Sequence, residues 1–369
     1  MRLRFTGSAG ALARNEREAR KQVAKVFGSR AQRLRRCCGR GRPRSQYRPA
    51  SGVQGALPAS TNLNLSDKIP SVRALRDIRI GPAGWSYADW RGRVYPEGAG
   101  SKFDTLALVA KYFDTAEINS SFYRPPSPVT ARSWLKRIAH NPNFVFTAKL
   151  FRPFTHERGK ATTEDEKAFR EGIDPLVEAG KLGAVLMQFP WSFRNDREER
   201  VYLNQLVERF KDYPLVVELR HESWNSARVL QTLEDLGVGL CDIDQPLFAD
   251  SIKPSAEVTS PIGYIRLHGR NYQNWFREDA DAVERYDYLY SRDELEPWVE
   301  RIKQVAEKAR QTFVITNNHA RGQGLVNAFE ILAQLEEERV PGPAKLVESY
   351  PRLAEFVEPD DESAQGSLF

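Results

Sequence analysis

The chain has 369 residues, of which 41% are hydrophobic and 28% are charged, as is typical of a globular protein with one or two domains. Three cysteines are too few for a disulfide framework, and every apolar run is shorter than the ~18 residues of a membrane helix. These features exclude a disulfide-rich secreted scaffold and a membrane-spanning protein, and we expect a cytoplasmic location.

The net charge of +6 is distributed unevenly along the chain. Residues 1–50 contain 15 Lys and Arg but only two Glu, whereas residues 51–369 contain 40 basic and 47 acidic residues. The basic isoelectric point therefore comes from the first 50 residues. It is not evidence that the folded body binds nucleic acid.

Residues 1–70 differ in composition from the rest of the chain. They are rich in Arg at first and in Ser, Asn and Pro over 58–71, and their apolar residues build no continuous face. We expect a disordered basic leader outside the fold. Three interpretations remain open: a basic arm for nucleic acid, a transit peptide, or a non-native extension from a misassigned start.

From residue 78 onward, short apolar runs alternate with helical patterns. The runs, each predicted to be a buried strand, are 78–81, 115–118, 144–148, 184–189, 215–219, 238–243, 263–267 and 313–316. Helix starts are predicted at Ser127-Pro128, at a Thr163-x-x-Glu166 capping box and at Glu296-Pro297. The stretch 245–261 contains three prolines and predicts an irregular connection.

Eight strands alternating with helices over about 260 residues predict a (β/α)8 TIM-type barrel, spanning residues 71–356. A doubly wound sheet is the alternative. It has less support because Gly81-Pro82-Ala83-Gly84 after the first run is not a GxGxxG phosphate turn. Residues 357–369 are predicted to be a short acidic tail that does not fold.

Polar side chains follow seven of the eight predicted strands, where a barrel carries its active site. Four pairs share a strand face by period-two alternation: Glu117 with Asn119, Glu218 with Arg220, Asp242 with Asp244, and Arg266 with His268. If these faces point inward, the charged groups converge on the barrel axis and line one pocket. Structural alternatives are an ion pair between Glu218 and Arg220 and a purely structural His268.

From this convergence we select two sets of candidate residues. The predicted catalytic residues are Glu117, Lys149, Glu218, Asp242 and His268. The residues predicted to bind substrate are Trp85, Tyr87, Asn119, Tyr123, Gln188, Arg220, His221, Trp224, Arg266, Arg270, Asn317 and His319.

The motifs also resemble a known family. Gly84-Trp85-Ser86-Tyr87, Glu117-Ile118-Asn119-Ser120, Glu218-Leu219-Arg220-His221 and Arg266-Leu267-His268-Gly269-Arg270, in this order, resemble the family catalogued as domain of unknown function 72. The resemblance covers roughly residues 78–350. It implies a TIM barrel and assigns no reaction.

Three classes of function remain open. The first is a metal-assisted hydrolase or phosphoesterase, with carboxylates and histidines as ligands of a divalent metal ion. The second is an isomerase or lyase for a small anionic metabolite that uses Lys149 in metal-free acid–base or Schiff-base chemistry. The third is a non-catalytic ligand-binding barrel. Our working hypothesis is an enzyme for a phosphate-bearing or nucleic-acid-derived substrate.

The last five residues, Gln365-Gly366-Ser367-Leu368-Phe369, resemble the pentapeptide with which bacterial proteins bind the DNA sliding clamp. In such a peptide, Leu368 and Phe369 would occupy a preformed apolar pocket while Gln365 forms hydrogen bonds at its edge. The sequence therefore predicts the sliding clamp as a partner.

Overall fold

A computed structural model of the chain describes residues 78–100, 103–277 and 279–360. The predicted leader, residues 1–70, and the predicted clamp-binding residues Gln365, Leu368 and Phe369 lie outside the described residues.

Eight parallel strands form one sheet. They are β1 (Ile78–Pro82), β2 (Thr115–Ile118), β3 (Val145–Lys149), β4 (Leu182–Gln188), β5 (Leu215–Glu218), β6 (Gly239–Asp244), β7 (Ile262–Leu267) and β8 (Gln311–Thr316). From β2 to β8 each strand pairs with the next in sequence, and β1 pairs along its length with β8. A parallel bridge between Ala83 and Glu117 joins the ends of β1 and β2. The sheet is therefore closed, and the predicted (β/α)8 architecture is confirmed.

Closure between β1 and β2 depends on a glycine. A Cβ atom added at Gly81 would lie 1.8 Å from the backbone oxygen of Thr115. Since no side chain can occupy that space, Gly81 allows the two strands to approach each other.

Helices fill most of the connections between strands. They are α1 (Thr105–Tyr112), α2 (Pro128–Arg137), α3 (Thr163–Glu178), α4 (Arg197–Phe210), α5 (Ala227–Leu236), α6 (Ala282–Arg285), α7 (Arg292–Lys308), α8 (Gln323–Glu336) and α9 (Ala344–Ser349). As predicted, 245–261 contains no helix, and α2 begins behind a Ser127 cap. In the part of the chain that the structure describes, no helix is long and apolar enough to cross a membrane.

Two predicted helix starts are wrong in position. The capping box of α3 is formed by Thr162 and Asp165, one residue before the predicted pair. Helix α7 begins behind a capping box of Ser291 and Glu294, so Pro297 lies inside the helix. In both cases the reciprocal side-chain bonds satisfy backbone donors that the predicted start would leave unpaired.

The predicted boundary of the acidic tail is also wrong. Strand β9 (Val340–Pro343) pairs in parallel with β10 (Val357–Asp360), and the Val357 side chain is fully buried. Asp360 forms an ion pair with Lys111 of α1 at 2.5 Å. The described fold therefore extends through Asp360, four residues beyond the predicted end of the barrel.

The inward faces of the strands hold a compact apolar layer. Its buried members include Ala184, Leu186, Val216, Cys241, Ile243, Tyr264, Phe313 and Ile315. Because side chains alternate along a strand, the next inward positions toward the carboxyl ends are available for polar residues. This layer therefore forms the base on which the polar groups of the barrel rest.

Candidate active site

Arg266 lies at the centre of a buried charged network at the carboxyl ends of the strands. Its Nη1 donates to Glu218 Oε2 at 2.5 Å, and its Nη2 donates to Glu117 Oε1 at 2.7 Å. Glu117 also accepts a hydrogen bond from the Tyr264 hydroxyl at 2.9 Å. These contacts join β2, β5 and β7 across the interior of the barrel.

Glu218 is held in its charged form by two guanidinium groups. Burial alone would raise the pKa of Glu218, but Arg220 and Arg266 hold that pKa well below its ordinary value. Arg220 Nε donates to Glu218 Oε1 at 2.7 Å, and its guanidinium lies over the Trp275 ring. The pair of carboxylates is therefore balanced by a pair of guanidinium groups.

His268 completes this network in a neutral form. Burial lowers the pKa of His268 to about 3. Asn317 Nδ2 lies 2.9 Å from His268 Nδ1, and His268 Nε2 lies 3.3 Å from Glu218 Oε1 and 3.4 Å from Arg220 Nη2. Both ring nitrogens are engaged by protein groups. This geometry fits a positioning role for His268 better than the predicted proton transfer to substrate.

A cavity of about 490 Å³ opens beside this network at the ends of β1, β2, β3 and β8. Its polar lining includes Lys149, Asn119, Asn317, Ser86 and Ser120. The rings that line it are Trp85, Tyr87, Tyr123, Trp134, Tyr286 and His319. The volume is within the range of small-molecule sites. The structure therefore brings seven predicted site residues to one cavity: Trp85, Tyr87, Asn119, Tyr123, Lys149, Asn317 and His319.

A larger cavity of about 630 Å³ lies at the opposite end of the barrel, next to Ile78, Asp114 and Asn143, which are at or just before the first residues of β1, β2 and β3. Barrel enzymes carry their chemistry at the carboxyl ends of the strands. We therefore treat the smaller cavity as the candidate active site.

Lys149 is the charged residue that faces this cavity from the floor. Its side chain is buried, its Nζ lies 3.9 Å from the centroid of the Phe122 ring, and among the described residues Nζ has no hydrogen bond or salt bridge. Burial, and then the positive charge of Arg266, lowers the pKa of Lys149 to about 7. About half of these amines are therefore neutral at pH 7.

Asp242, predicted to be catalytic, does not join the network. Strand β6 turns Cys241 and Ile243 toward the interior, so alternation directs Asp242 to the other face. Its carboxylate accepts hydrogen bonds from Ser255 Oγ at 2.5 Å and from the Glu257 backbone at 3.2 Å. Burial raises the pKa of Asp242 to about 7. The predicted place of Asp242 in the ring is wrong.

Two predicted substrate-binding residues belong to the packing of the loops. The Trp224 indole donates to the Phe193 carbonyl at 2.8 Å and stacks on the Phe193 ring. His221 Nδ1 accepts the backbone N–H of Ser223 at 3.1 Å, and its ring contacts Trp191. Neither Trp224 nor His221 lines the cavity.

Two further predicted residues also lie away from the cavity lining. Arg270 forms a salt bridge with Asp244 at 2.9 Å and reaches Glu294 at 3.3 Å. Gln188 donates from Nε2 to the Phe189 carbonyl at 2.5 Å. Both residues have protein partners that account for their polar groups.

Three residues near the site were not predicted. Tyr286 and Trp134 line the cavity from the β7–β8 connection and from α2. His156, in the loop after β3, packs edge-to-face on Phe122, and burial followed by the nearby Lys149 lowers its pKa to about 3. The sequence signal that we used, polarity directly after a strand, does not extend to residues so far along the connections.

The two carboxylates of the buried network already have cationic partners and are not free to bind a metal ion. Glu117 and Glu218 each form an ion pair with Arg266. Within residues 78–100, 103–277 and 279–360, no group of three or more His, Cys, Asp and Glu side chains is arranged to hold a metal ion. The donor set in the described residues therefore gives little support to the divalent metal ion of the first of the three open classes.

The closed parallel barrel, the buried Arg266 network and the adjoining cavity define a (β/α)8-barrel protein with a candidate site at the carboxyl ends of its strands. The family described as Protein of unknown function DUF72 matches residues 79–349, and the chain belongs to this family. The resemblance in the sequence motifs is thereby confirmed.

Relatives of known sequence and structure share most of the barrel. The UPF0759 protein YunF of Bacillus subtilis (strain 168) is 27% identical over 275 residues, which are 71% of this chain and 95% of that protein. A DUF72 family protein from Thermotoga maritima MSB8 is 34% identical, with a TM-score of 0.61 over 70% of this chain and 99% of that one. A DUF72 family protein from Enterococcus faecalis V583 is 27% identical, with a TM-score of 0.62. The match covers 70% of this chain and 95% of that one.

Proposed function

We propose that this protein is a metal-independent enzyme in which Lys149 supplies a reactive amine to a small anionic carbonyl compound. The observation that carries the proposal is the buried Lys149 at the floor of the cavity, without a hydrogen-bond or salt-bridge partner among the described residues. With a pKa of about 7, its neutral fraction at pH 7 is roughly a thousandfold that of an ordinary lysine. The neutral amine is the nucleophilic form.

The reaction begins with addition of Lys149 Nζ to the carbonyl carbon. The resulting carbinolamine takes up a proton from solvent, loses its hydroxyl group as water and leaves an iminium, which withdraws electrons from the adjacent carbon. His319 lines the same cavity, and burial lowers the pKa of His319 to about 4, so its imidazole is neutral and can accept a proton from that carbon. This sequence of steps is the chemistry of an isomerase or lyase.

The charge balance supports an anionic substrate. The carboxylates of Glu117 and Glu218 offset the guanidinium groups of Arg266 and Arg220, so protonated Lys149 adds one positive charge. A phosphate or carboxylate on the substrate would neutralise that charge. The phosphate-bearing substrate of the working hypothesis is retained, whereas a phosphoesterase has less support because both glutamates are paired.

Reductive trapping tests the proposal. The protein is incubated with pyruvate, glyoxylate or glyceraldehyde 3-phosphate and sodium cyanoborohydride, and the modified peptides are identified by mass spectrometry. We expect labelling of Lys149 at pH 7, a rate that levels off above this pH, and little labelling of Lys160, whose side chain is 75% exposed. Lys149→Arg keeps the charge and is the control. Labelling spread equally over the surface lysines would contradict the proposal.

The chain's last five residues support a second proposal, in which this protein acts in the cytoplasm and is recruited to the DNA sliding clamp. Four residues separate Asp360 of β10 from Gln365 in the sequence. A single short peptide motif of this kind gives about micromolar affinity.

Surface plasmon resonance of the full chain over an immobilised bacterial clamp tests this second proposal. We expect Leu368→Ala with Phe369→Ala to abolish binding. Leu247→Ala, a substitution of a 43% exposed leucine on the barrel, should not affect binding. Equal binding by all three proteins would contradict clamp recruitment.

A further inference from the structure

Aromatic rings form much of the cavity wall. Trp85 and Trp134 meet edge-to-face with ring centroids 5.4 Å apart. Across the opening of the barrel, Tyr87 stacks on His319 at 4.3 Å and an interplanar angle of 8°, and Tyr286 lies 5.5 Å from His319. A ligand in this cavity therefore contacts ring faces and edges.

Several hydroxyl and amide groups near these rings already have partners. The Tyr87 hydroxyl donates to the Ala83 carbonyl at 2.5 Å, and Asn317 Nδ2 lies 2.9 Å from His268 Nδ1. Lys149, by contrast, lines the floor with an ammonium that has no hydrogen-bond or salt-bridge partner in the described chain. The cavity thus has one charged residue on its floor and a mostly apolar wall of rings, with Asn119, Asn317, Ser86 and Ser120 as its further polar side chains.

We infer that this site takes a flat aromatic carbonyl compound with one anionic head group, a carboxylate or a phosphate. The inference rests on the proposed function and specifies its substrate class. The head group lies beside Lys149, whose positive charge it offsets in the protonated amine and in the iminium, and the ring packs against Trp85, Trp134 and Tyr286 by offset or edge-to-face contacts. Such aromatic pairs add to the affinity beyond the area that they bury.

Calorimetric titration with unreactive probes tests the inference independently of any reaction. Benzoate and phenyl phosphate are compared with cyclohexanecarboxylate, which has a similar size but no aromatic ring, and with inorganic phosphate. We expect benzoate to bind at least tenfold more tightly than cyclohexanecarboxylate. The difference between benzoate and phenyl phosphate identifies the preferred head group. Equal affinity for benzoate and cyclohexanecarboxylate would overturn the inference.

Variants of Tyr286 provide the matched test, because among the described residues its hydroxyl makes no hydrogen bond that the variant would lose. Tyr286→Leu should weaken phenyl phosphate binding at least fivefold and leave inorganic phosphate binding unchanged. Tyr286→Phe keeps the ring and should bind like the wild type. Tyr272→Leu removes a half-exposed ring outside the cavity and should also bind like the wild type.

Lys149→Met separates this inference from the proposed function. If Lys149→Met abolishes anion binding but no aromatic preference exists, the substrate class is wrong and the lysine proposal stands. If Lys149→Met binds every probe normally while Tyr286→Leu weakens the aromatic ones, the role of Lys149 is wrong and the aromatic preference stands.

Discussion

Arg266 holds two buried carboxylates that lie on different strands. Arg266→Met would leave Glu117 and Glu218 without their shared guanidinium, so we expect the free energy of unfolding to fall by about 3–5 kcal/mol. Urea denaturation followed by circular dichroism measures this change. Arg292→Met is the control, because Arg292 is 69% exposed and its ion pair spans 3.9 Å. A similar small effect of both substitutions would contradict the role of Arg266.

Lys149 makes the stability of the barrel depend on pH. Its pKa falls from 10.5 in the unfolded chain to about 7 in the native protein, so the unfolded chain binds more protons between these values. Because of Lys149, the free energy of unfolding therefore rises as the pH increases from about 7 to 10.5. Lys149→Met should raise the melting temperature most at pH 6, and the gain should vanish near pH 10.5.

Thermal denaturation of wild type and Lys149→Met at pH 6, 8 and 10 measures this dependence. Lys167→Met, at a lysine whose side chain is 74% exposed, should give no pH-dependent difference. A gain from Lys149→Met that is the same at every pH would contradict the lowered pKa.

The sequence predicts part of the site because the polar residues directly follow strands. The alternation of side chains along the strands correctly groups Glu117, Glu218 and Arg266, because all three side chains point into the barrel interior. It fails for Asp242, because both faces of a barrel strand are buried and composition does not distinguish the interior from the helix-facing side. It also fails for Trp224, because a position at the rim does not determine which way a large ring packs.

Strands β1 and β2 close the barrel only because position 81 has no side chain. Gly81→Ala would place a Cβ 1.8 Å from the Thr115 oxygen, so the strands must separate and Glu117 must move. We expect a loss of several kcal/mol in unfolding free energy, measured with urea. Gly100→Ala, at a position with no atom within 4 Å of the added Cβ, should have little effect. Equal stability of the two variants would contradict this account of closure.

Strand β10 contributes to the stability of the fold. Deleting residues 357–369 removes the buried Val357, the pairing with β9 and the ion pair of Asp360 with Lys111. We therefore expect a lower melting temperature for this protein, and a melting temperature close to that of the wild type when only residues 361–369 are deleted. If both deletions have the same effect, β10 is not the cause.

Strand β10 and its partner β9 also show a limit of sequence patterns. The β9 residues Val340-Pro341-Gly342-Pro343 contain two prolines and a glycine, which ordinarily argue against a strand. A two-stranded ribbon outside the main sheet tolerates proline because the missing N–H groups need no ladder partner. The eight barrel strands, by contrast, have apolar runs that are predictable from sequence alone.

At the scale of the whole molecule, charge separates the first part of the chain from the rest. Residues 71–369 carry a net charge of −7, so removal of residues 1–70 should shift the isoelectric point from about 9.1 to the acidic side of neutrality. Because no predicted strand or core stripe lies in 1–70, we expect the melting temperature to change little. Isoelectric focusing and calorimetry measure both quantities. A large loss of stability would show that the leader packs on the barrel.

The pairing of β1 with β8 constrains when the protein can fold during synthesis. The 228 residues that separate Pro82 from Gln311 take about 10–45 s to translate at 5–20 residues per second. During that interval β1 has an unpaired edge on the β8 side, and Arg266 reaches the ribosome exit well after Glu117 and Glu218. The first strand to leave the ribosome is therefore among the last to be fully paired, and the nascent barrel is most vulnerable to aggregation before β8 emerges.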